Sequence, residues 1–115
     1  MPETPRTTLT DGTQVYPEHR NIIPEGVRKG QQEGYVVLAE EERAKGFVRP
    51  VRRSYVHDKC GVVTTMGQML AETYARDPYF YSGTFCCGCG THFPVGPAEM
   101  GGEFVWDGTS ERVGT

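Results

Sequence analysis

The feature that most constrains this chain is a five-residue pattern that occurs twice. Residues 57–61 read His-Asp-Lys-Cys-Gly, and residues 86–90 read Cys-Cys-Gly-Cys-Gly. In each copy a side chain able to bind a metal is followed three positions later by a cysteine and then by a glycine. The glycine allows the left-handed backbone of a sharp turn, and two such pairs supply the four ligands of a closed tetrahedral site. The candidate metal ligands are His57, Cys60, Cys86 and Cys89.

Each copy also follows a short run of strand-forming residues, 54–56 and 83–85. A strand followed by ligand-x-x-Cys-Gly resembles the zinc knuckle of zinc-ribbon and rubredoxin-like proteins. The resemblance implies two knuckles that hold one structural Zn²⁺, with backbone amides directed at the thiolate sulfurs. Residues 41–52, followed by the knuckles, also resemble small uncharacterised proteins of phages and bacteria, a likeness that implies no activity.

Two further residues leave alternatives open in the ligand set. Cys89 and His92 also have ligand spacing, so His92 competes with His57 for the fourth position. We prefer His57, because Cys60 would otherwise be the only ligand in its knuckle. Cys87 is the spare cysteine, since the residue after the first ligand of a knuckle points away from the metal. Zinc suits three thiolates and one imidazole, whereas rubredoxin-like iron would need four thiolates.

The size and composition of the chain favour a domain that needs a metal or a partner. With 115 residues and 37% hydrophobic residues, the chain is one domain at most and has little apolar surface to bury. Three of its four cysteines lie within residues 86–89, which is awkward for two disulfides. We find no signal peptide and no segment that could span a membrane. We therefore expect a reducing location, either cytoplasmic or within a virion.

The predicted fold is a small α+β, zinc-ribbon-like domain, residues 35–115, preceded by an extended N-terminal arm, residues 1–34. The arm is interrupted by prolines and has no periodic apolar pattern, so it would become ordered only on the body of the domain or on a neighbouring molecule. The spacing of apolar residues predicts one main helix, which Thr64 or Thr65 caps and which ends near Arg76. Strands are predicted at 35–38 and 51–56. A β-meander follows from Thr84, and its last strand is 110–113.

Half of the positive charge lies in a short segment, which we call the basic belt (residues 43–59). It contains six of the 12 lysines and arginines and one acidic residue, Asp58, although the net charge of the whole chain is −3. A basic segment of this kind is either an ordinary solvated surface or a nucleic-acid contact. The residues predicted for nucleic-acid contact are Arg49, Arg52, Arg53 and Lys59.

These observations predict a non-enzymatic, zinc-stabilised structural or accessory binding protein. A component of a phage particle or another assembly would fit, with a protein partner or neighbouring subunit contacted through the arm. The alternative is a nucleic-acid-binding or transcription-associated zinc ribbon that uses the basic belt. We expect no enzyme, no catalytic residue and no small-molecule substrate, because neither the His-x-Glu element of zinc deaminases nor a His-Glu-x-x-His helix occurs.

Overall fold

Seven short strands and one main helix form the part of the chain that the structure describes, residues 6–10 and 12–115. The structure is a computed structural model with an α+β architecture and antiparallel strand pairing. The strands are β1 (Thr7–Leu9), β2 (Val36–Leu38), β3 (Ser54–His57), β4 (Val63–Thr65), β5 (Gly83–Cys86), β6 (Thr91–Pro94) and β7 (Phe104–Trp106). The helices are α1 (Glu40–Arg43) and α2 (Gln68–Arg76), and short 3₁₀ turns occur at Pro17–Arg20 and Ala98–Met100.

The described strands form three small sheets, in the orders β1–β2, β4–β3–β7 and β5–β6. β3 is the central strand of the second sheet, where Tyr55 lies opposite Thr64 of β4 and Trp106 of β7. Residues 57–61 lead from the end of β3 towards β4, and residues 86–90 form the turn of the β5–β6 hairpin. Each of the two repeated patterns therefore begins at the end of a strand, whose position is fixed by pairing with its neighbour.

The core lies on one face of β3. Because side chains alternate along a strand, Tyr55 and His57 lie on its buried face. The Tyr55 ring contacts Phe104 edge to face, with ring centroids 5.3 Å apart, and its centroid lies 6.3 Å from that of Trp106. Tyr74 of α2 joins this cluster. Burial of each large ring stabilises the fold by about 1.5–3 kcal/mol, so a few rings supply much of the apolar core.

The predicted main helix is confirmed as α2, but it begins later than predicted. Thr64 and Thr65, the predicted caps, lie in β4 and pair with β3. The N-cap is Gly67, and no side chain caps the first turn. On the buried face of α2, the Thr73 hydroxyl accepts a 3.2 Å hydrogen bond from the Leu38 amide. No helix within residues 6–10 and 12–115 is both long and apolar enough to cross a membrane.

The C-terminal strands differ from the predicted β-meander. Among the described strands, β5 and β6 pair only with each other, and β7 pairs with β3 instead of β6. The predicted last strand, 110–113, is reduced to a single bridge between Val105 and Arg112. The physical reason is packing: beside β3, Phe104 and Trp106 are buried and contact the Tyr55 ring.

The segment predicted as an N-terminal arm packs against the rest of the chain in its described part, residues 6–10 and 12–34. Residues 1–5 and 11 of the predicted arm lie outside the described residues. β1 pairs with β2, and the side chain of Leu9 is 1% exposed. This segment therefore covers one edge of β2 and buries the Leu9 side chain against the rest of the chain.

Residues 21–33, which we call the N-terminal loop, cover the second repeated pattern. The loop is closed by a bridge between Ile22 and Gln32 and by a 2.9 Å hydrogen bond from the Ile23 amide to the Gln31 carbonyl. Gly30 lies against Gly90, since a Cβ atom at Gly30 would be 2.2 Å from the Gly90 carbonyl oxygen. Only glycine allows this close approach of two backbones.

This contact yields a test of how the N-terminal loop is held. Gly30 and Gly26 have similar φ angles, +88° and +92°, but a Cβ atom at Gly26 meets nothing within 4 Å. Both alanine substitutions cost about 1–2 kcal/mol of backbone strain, whereas only Gly30→Ala also forces the loop away from Gly90. We expect faster amide hydrogen exchange in residues 21–33 of Gly30→Ala than of Gly26→Ala, measured by mass spectrometry. Equal exchange in the two variants would contradict the contact.

Candidate metal centre

The four candidate ligands meet at one point between the second and third sheets. His57 ends β3 and Cys60 lies in the turn after it, while Cys86 ends β5 and Cys89 lies in the hairpin turn. Their ligand atoms all lie within 4.8 Å of one another. His57, Cys60, Cys86 and Cys89 are thus close together and could hold a metal ion.

The two turns have the same backbone geometry. The Gly61 amide donates to the His57 carbonyl at 2.7 Å, and the Gly90 amide donates to the Cys86 carbonyl at 2.8 Å. The φ angles of the two glycines are +74° and +73°, in the left-handed region that favours glycine. The Cys89 amide also lies 3.4 Å from the Cys86 sulfur, towards which it donates. Each ligand pair is therefore presented by the same kind of turn.

The spacing of the ligand atoms fits a small tetrahedral cation. The Cys60 sulfur lies 3.5 Å from the Cys86 sulfur, and His57 Nδ1 lies 3.3 Å from the Cys60 sulfur and 3.6 Å from the Cys89 sulfur. Bonds of about 2.3 Å to sulfur and about 2.0 Å to nitrogen, at tetrahedral angles, place ligand atoms roughly 3.5–3.8 Å apart. These three pairs lie within a few tenths of an ångström of this spacing, and all the ligand atoms lie within 4.8 Å of one another.

The imidazole of His57 is held from three sides. Its Nε2 lies 2.9 Å from Glu103 Oε1, and its ring is stacked on Phe93 with centroids 4.4 Å apart. Phe104 lies near it as well, at 4.8 Å and an interplanar angle of 31°. Glu103 therefore fixes the tautomer in which Nε2 carries the proton, so that the lone pair of Nδ1 faces the sulfurs. A carboxylate behind a histidine ligand is a common arrangement at metal centres and raises the basicity of the ligand.

The protonation equilibria of the thiols show what a bound cation would change in this cluster. The amide of Val62, together with other hydrogen bonds, lowers the pKa of Cys60 to about 7. Removal from water and the neighbouring sulfurs of Cys60 and Cys86 raise the pKa of Cys89 to about 11. Formation of one thiolate thus opposes formation of the next, and a bound cation would remove that opposition.

The hydrogen bond between His57 and Glu103 shifts the pKa of both side chains. Burial disfavours the charged imidazole, but the hydrogen bonds to Glu103 and Cys60 outweigh burial and raise the pKa of His57. The hydrogen bond from His57 is the main cause of the lowered pKa of Glu103. Glu103 is therefore an ionised acceptor at neutral pH.

The competing residues lie outside the cluster. His92, on β6, is half-buried, and its Nε2 lies 2.7 Å from the Tyr35 hydroxyl; burial lowers its pKa. The exposed Cys87 thiol donates to the Val63 carbonyl at 3.4 Å. The structure thus brings His57, and neither His92 nor Cys87, to the other three candidate ligands.

The residues predicted for nucleic-acid contact each have a partner within the chain. The Arg52 guanidinium lies 2.6 Å from Glu111 and 4.8 Å from the centroid of the Trp106 ring. Arg49 donates to the main-chain carbonyl of Thr115, and Arg53 donates to the main-chain carbonyl of Met66. Lys59 forms an ion pair with the Glu103 carboxylate. These side chains are used in part to tie the basic belt to the rest of the fold.

Sequence reasoning did not find Glu103. It lies 46 positions from its partner His57, and no local pattern links them. Glu103 directly precedes β7 in the sequence. That position indicates closeness to His57 only when the pairing of β7 with β3 is known.

No protein-family model, no curated protein and no solved structure matches this chain. Functional interpretation therefore depends on the geometry of the site itself.

The position of Glu103 predicts how strongly it supports metal binding. We expect Glu103→Gln to weaken Zn²⁺ affinity about 10–100-fold, the usual effect of losing a carboxylate partner of a histidine ligand. Glu99→Gln is the matched control, because Glu99 is exposed in a 3₁₀ turn and lies outside the cluster. Competition with a chromophoric chelator measures both affinities. Unchanged affinity in Glu103→Gln would show that the carboxylate does not support the ligand.

Proposed function

We propose that this chain is a non-enzymatic, zinc-stabilised binding or structural protein of zinc-ribbon-like type. In this proposal His57, Cys60, Cys86 and Cys89 hold one structural Zn²⁺. The observation that carries it is the convergence of three sulfurs and one imidazole nitrogen, all within 4.8 Å. Three thiolates and one histidine suit zinc and form one of its common closed structural sets.

A structural role is favoured over a catalytic one by the number of protein ligands. A catalytic zinc has about three protein ligands and keeps one position for water or substrate. Here four side chains are in place, and Phe93 and Phe104 flank the imidazole. The nearby carboxylate, Glu103, is already engaged by His57 and Lys59 and is poorly placed to act as a general base.

The proposed zinc would link the second and third sheets directly, beside contacts that they already share, such as the stacking of His57 on Phe93 and the hydrogen bond from the Cys87 thiol to the Val63 carbonyl. His57 connects it to the sheet β4–β3–β7, and Cys86 and Cys89 connect it to the β5–β6 hairpin. Structural zinc contributes about 10–16 kcal/mol in small domains, whereas the whole net stability of a domain is about 5–15 kcal/mol. Loss of the metal would therefore unfold most of the structure.

A protein partner is the proposed target of this domain, and an assembly such as a phage particle remains one setting for it. The N-terminal loop presents apolar side chains to solvent, with Val27 fully exposed and Ile22 53% exposed. Such residues would gain by burial against another protein. Within the predicted arm, the N-terminal loop is therefore the part that we propose contacts the protein partner. No specific observation favours the nucleic-acid alternative, since the predicted contact residues have partners within the chain.

The proposal is tested by the zinc content of the purified protein and two variants. We expect one zinc per chain in the wild type and in His92→Ala, and a strong loss in His57→Ala, because only His57 lies among the sulfurs. Elemental mass spectrometry with a protein determination gives the stoichiometry.

Thermal unfolding provides the second readout for the same three proteins. A strong chelator should abolish the cooperative transition of the wild type, and added Zn²⁺ should restore it. Full zinc occupancy in His57→Ala, or a wild-type transition that a chelator leaves unchanged, would refute the structural zinc.

A further inference from the structure

A cavity of about 420 Å³ is lined by the Pro17–Arg20 turn, by residues just before and in β2, and by the β5–β6 hairpin with the segment that leads into it. Its lining includes three side chains that can carry positive charge, His19, Arg20 and His92, and no described carboxylate. Glu18, the acidic residue nearest to Arg20 in the sequence, does not line it. A concave surface with charge of one sign favours a ligand of the opposite sign, here an anion.

His92 is held in this lining by a chain of two hydrogen bonds. The Gln32 amide donates to the Tyr35 hydroxyl at 3.2 Å, and this hydroxyl lies 2.7 Å from Nε2 of His92. Burial raises the pKa of Tyr35, so its hydroxyl stays protonated. Because the Tyr35 oxygen already accepts a hydrogen bond, its own hydrogen is available to Nε2. The chain therefore favours the tautomer of His92 in which Nδ1 carries the proton.

Two donors of this lining are unused among the described residues. The Nδ1 atom of the half-buried His92 makes no hydrogen bond there, and it remains accessible. The exposed Arg20 guanidinium has neither an ion pair nor a hydrogen bond within the same residues. The turn that carries Arg20 is nevertheless anchored, since Nδ1 of His19 lies 2.7 Å from the Tyr16 carbonyl oxygen and the His19 carbonyl accepts from the Gly34 amide at 3.0 Å. The donors are thus fixed in place and free to bind.

We propose that this cavity binds a phosphate monoester whose organic group is aromatic. The phosphate accepts hydrogen bonds from the Arg20 guanidinium, from Nδ1 of His92 and from the hydroxyl of Ser82, which also lines the cavity. A phosphate monoester has three strong acceptor oxygens and up to two negative charges. A carboxylate has two oxygens and one charge, so it satisfies these donors less completely.

The aromatic part of the ligand is inferred from the remaining lining and from the size of the cavity. The half-buried Phe80 lies in the lining beside Tyr81, with ring centroids 4.8 Å apart. A cavity of about 150 Å³ holds benzene, so the larger volume here leaves room for a ring as well as a phosphate group. Contact with Phe80 adds buried apolar area. Phosphate binding goes beyond the proposed structural role, because none of the four candidate metal ligands lines this cavity.

Isothermal titration calorimetry on the full-length protein as purified tests the proposal with three probes. Phenyl phosphate has the ring and the phosphate, inorganic phosphate lacks the ring, and benzoate carries a carboxylate in place of the phosphate. We expect phenyl phosphate to bind more tightly than inorganic phosphate, and about tenfold or more tightly than benzoate, because benzoate leaves one charge-assisted hydrogen bond unmade. No binding of phenyl phosphate at millimolar concentration, or benzoate binding as tightly, would overturn the proposal.

Two variants and a matched control identify the donors. Arg20→Gln should weaken both phosphate probes about tenfold or more. Lys29→Gln removes the same charge from an exposed residue of the N-terminal loop that does not line the cavity, and should keep the wild-type affinity. His92→Gln retains an acceptor for the Tyr35 hydroxyl but loses the Nδ1 donor, so it should also bind phenyl phosphate more weakly. Equal affinities of Arg20→Gln and Lys29→Gln for phenyl phosphate would refute the assignment, whatever the fate of His92→Gln.

Discussion

The close approach of three cysteine sulfurs and one histidine nitrogen is the arrangement on which the rest of this structure depends. Without a cation these groups compete for protons, since burial and the neighbouring sulfurs of Cys60 and Cys86 raise the pKa of the Cys89 thiol. With a cation of suitable size the same closeness becomes strongly stabilising. The two glycine turns supply the geometry, because Gly61 and Gly90 adopt nearly the same left-handed backbone.

The apolar core and the sulfur cluster form one continuous unit through β3. Alternation along this strand places Tyr55 in the aromatic core and His57 in the cluster, on the same face. Phe104 of β7 touches both side chains, and the residue before it, Glu103, holds the imidazole. A substitution that alters the aromatic packing should therefore shift the ligand side chains of the cluster, and a substitution in the cluster should shift the aromatic rings of the core.

The sequence predicts α2 and a set of candidate ligands that the structure brings close together, whereas most of the other contacts between distant residues leave no local pattern. The candidate ligands and α2 are encoded by spacings of three or four residues, so they were visible in the sequence. The start of α2 was misplaced because Thr64 and Thr65 suit both a helix cap and a strand, and pairing with β3 decided between the two. The pairing of β7 with β3, the role of Glu103 and the fit of Gly30 against Gly90 depend on residues far apart in the chain. No single-sequence pattern carries that information.

X-ray absorption at the zinc edge of the purified protein is the most direct test of the central claim. The account predicts a four-coordinate shell with three sulfur atoms at about 2.3 Å and one imidazole nitrogen at about 2.0 Å. That result would match a closed site of three cysteine sulfurs and one histidine nitrogen. An oxygen ligand in place of a sulfur or of the nitrogen, or protein that contains no zinc, would contradict it.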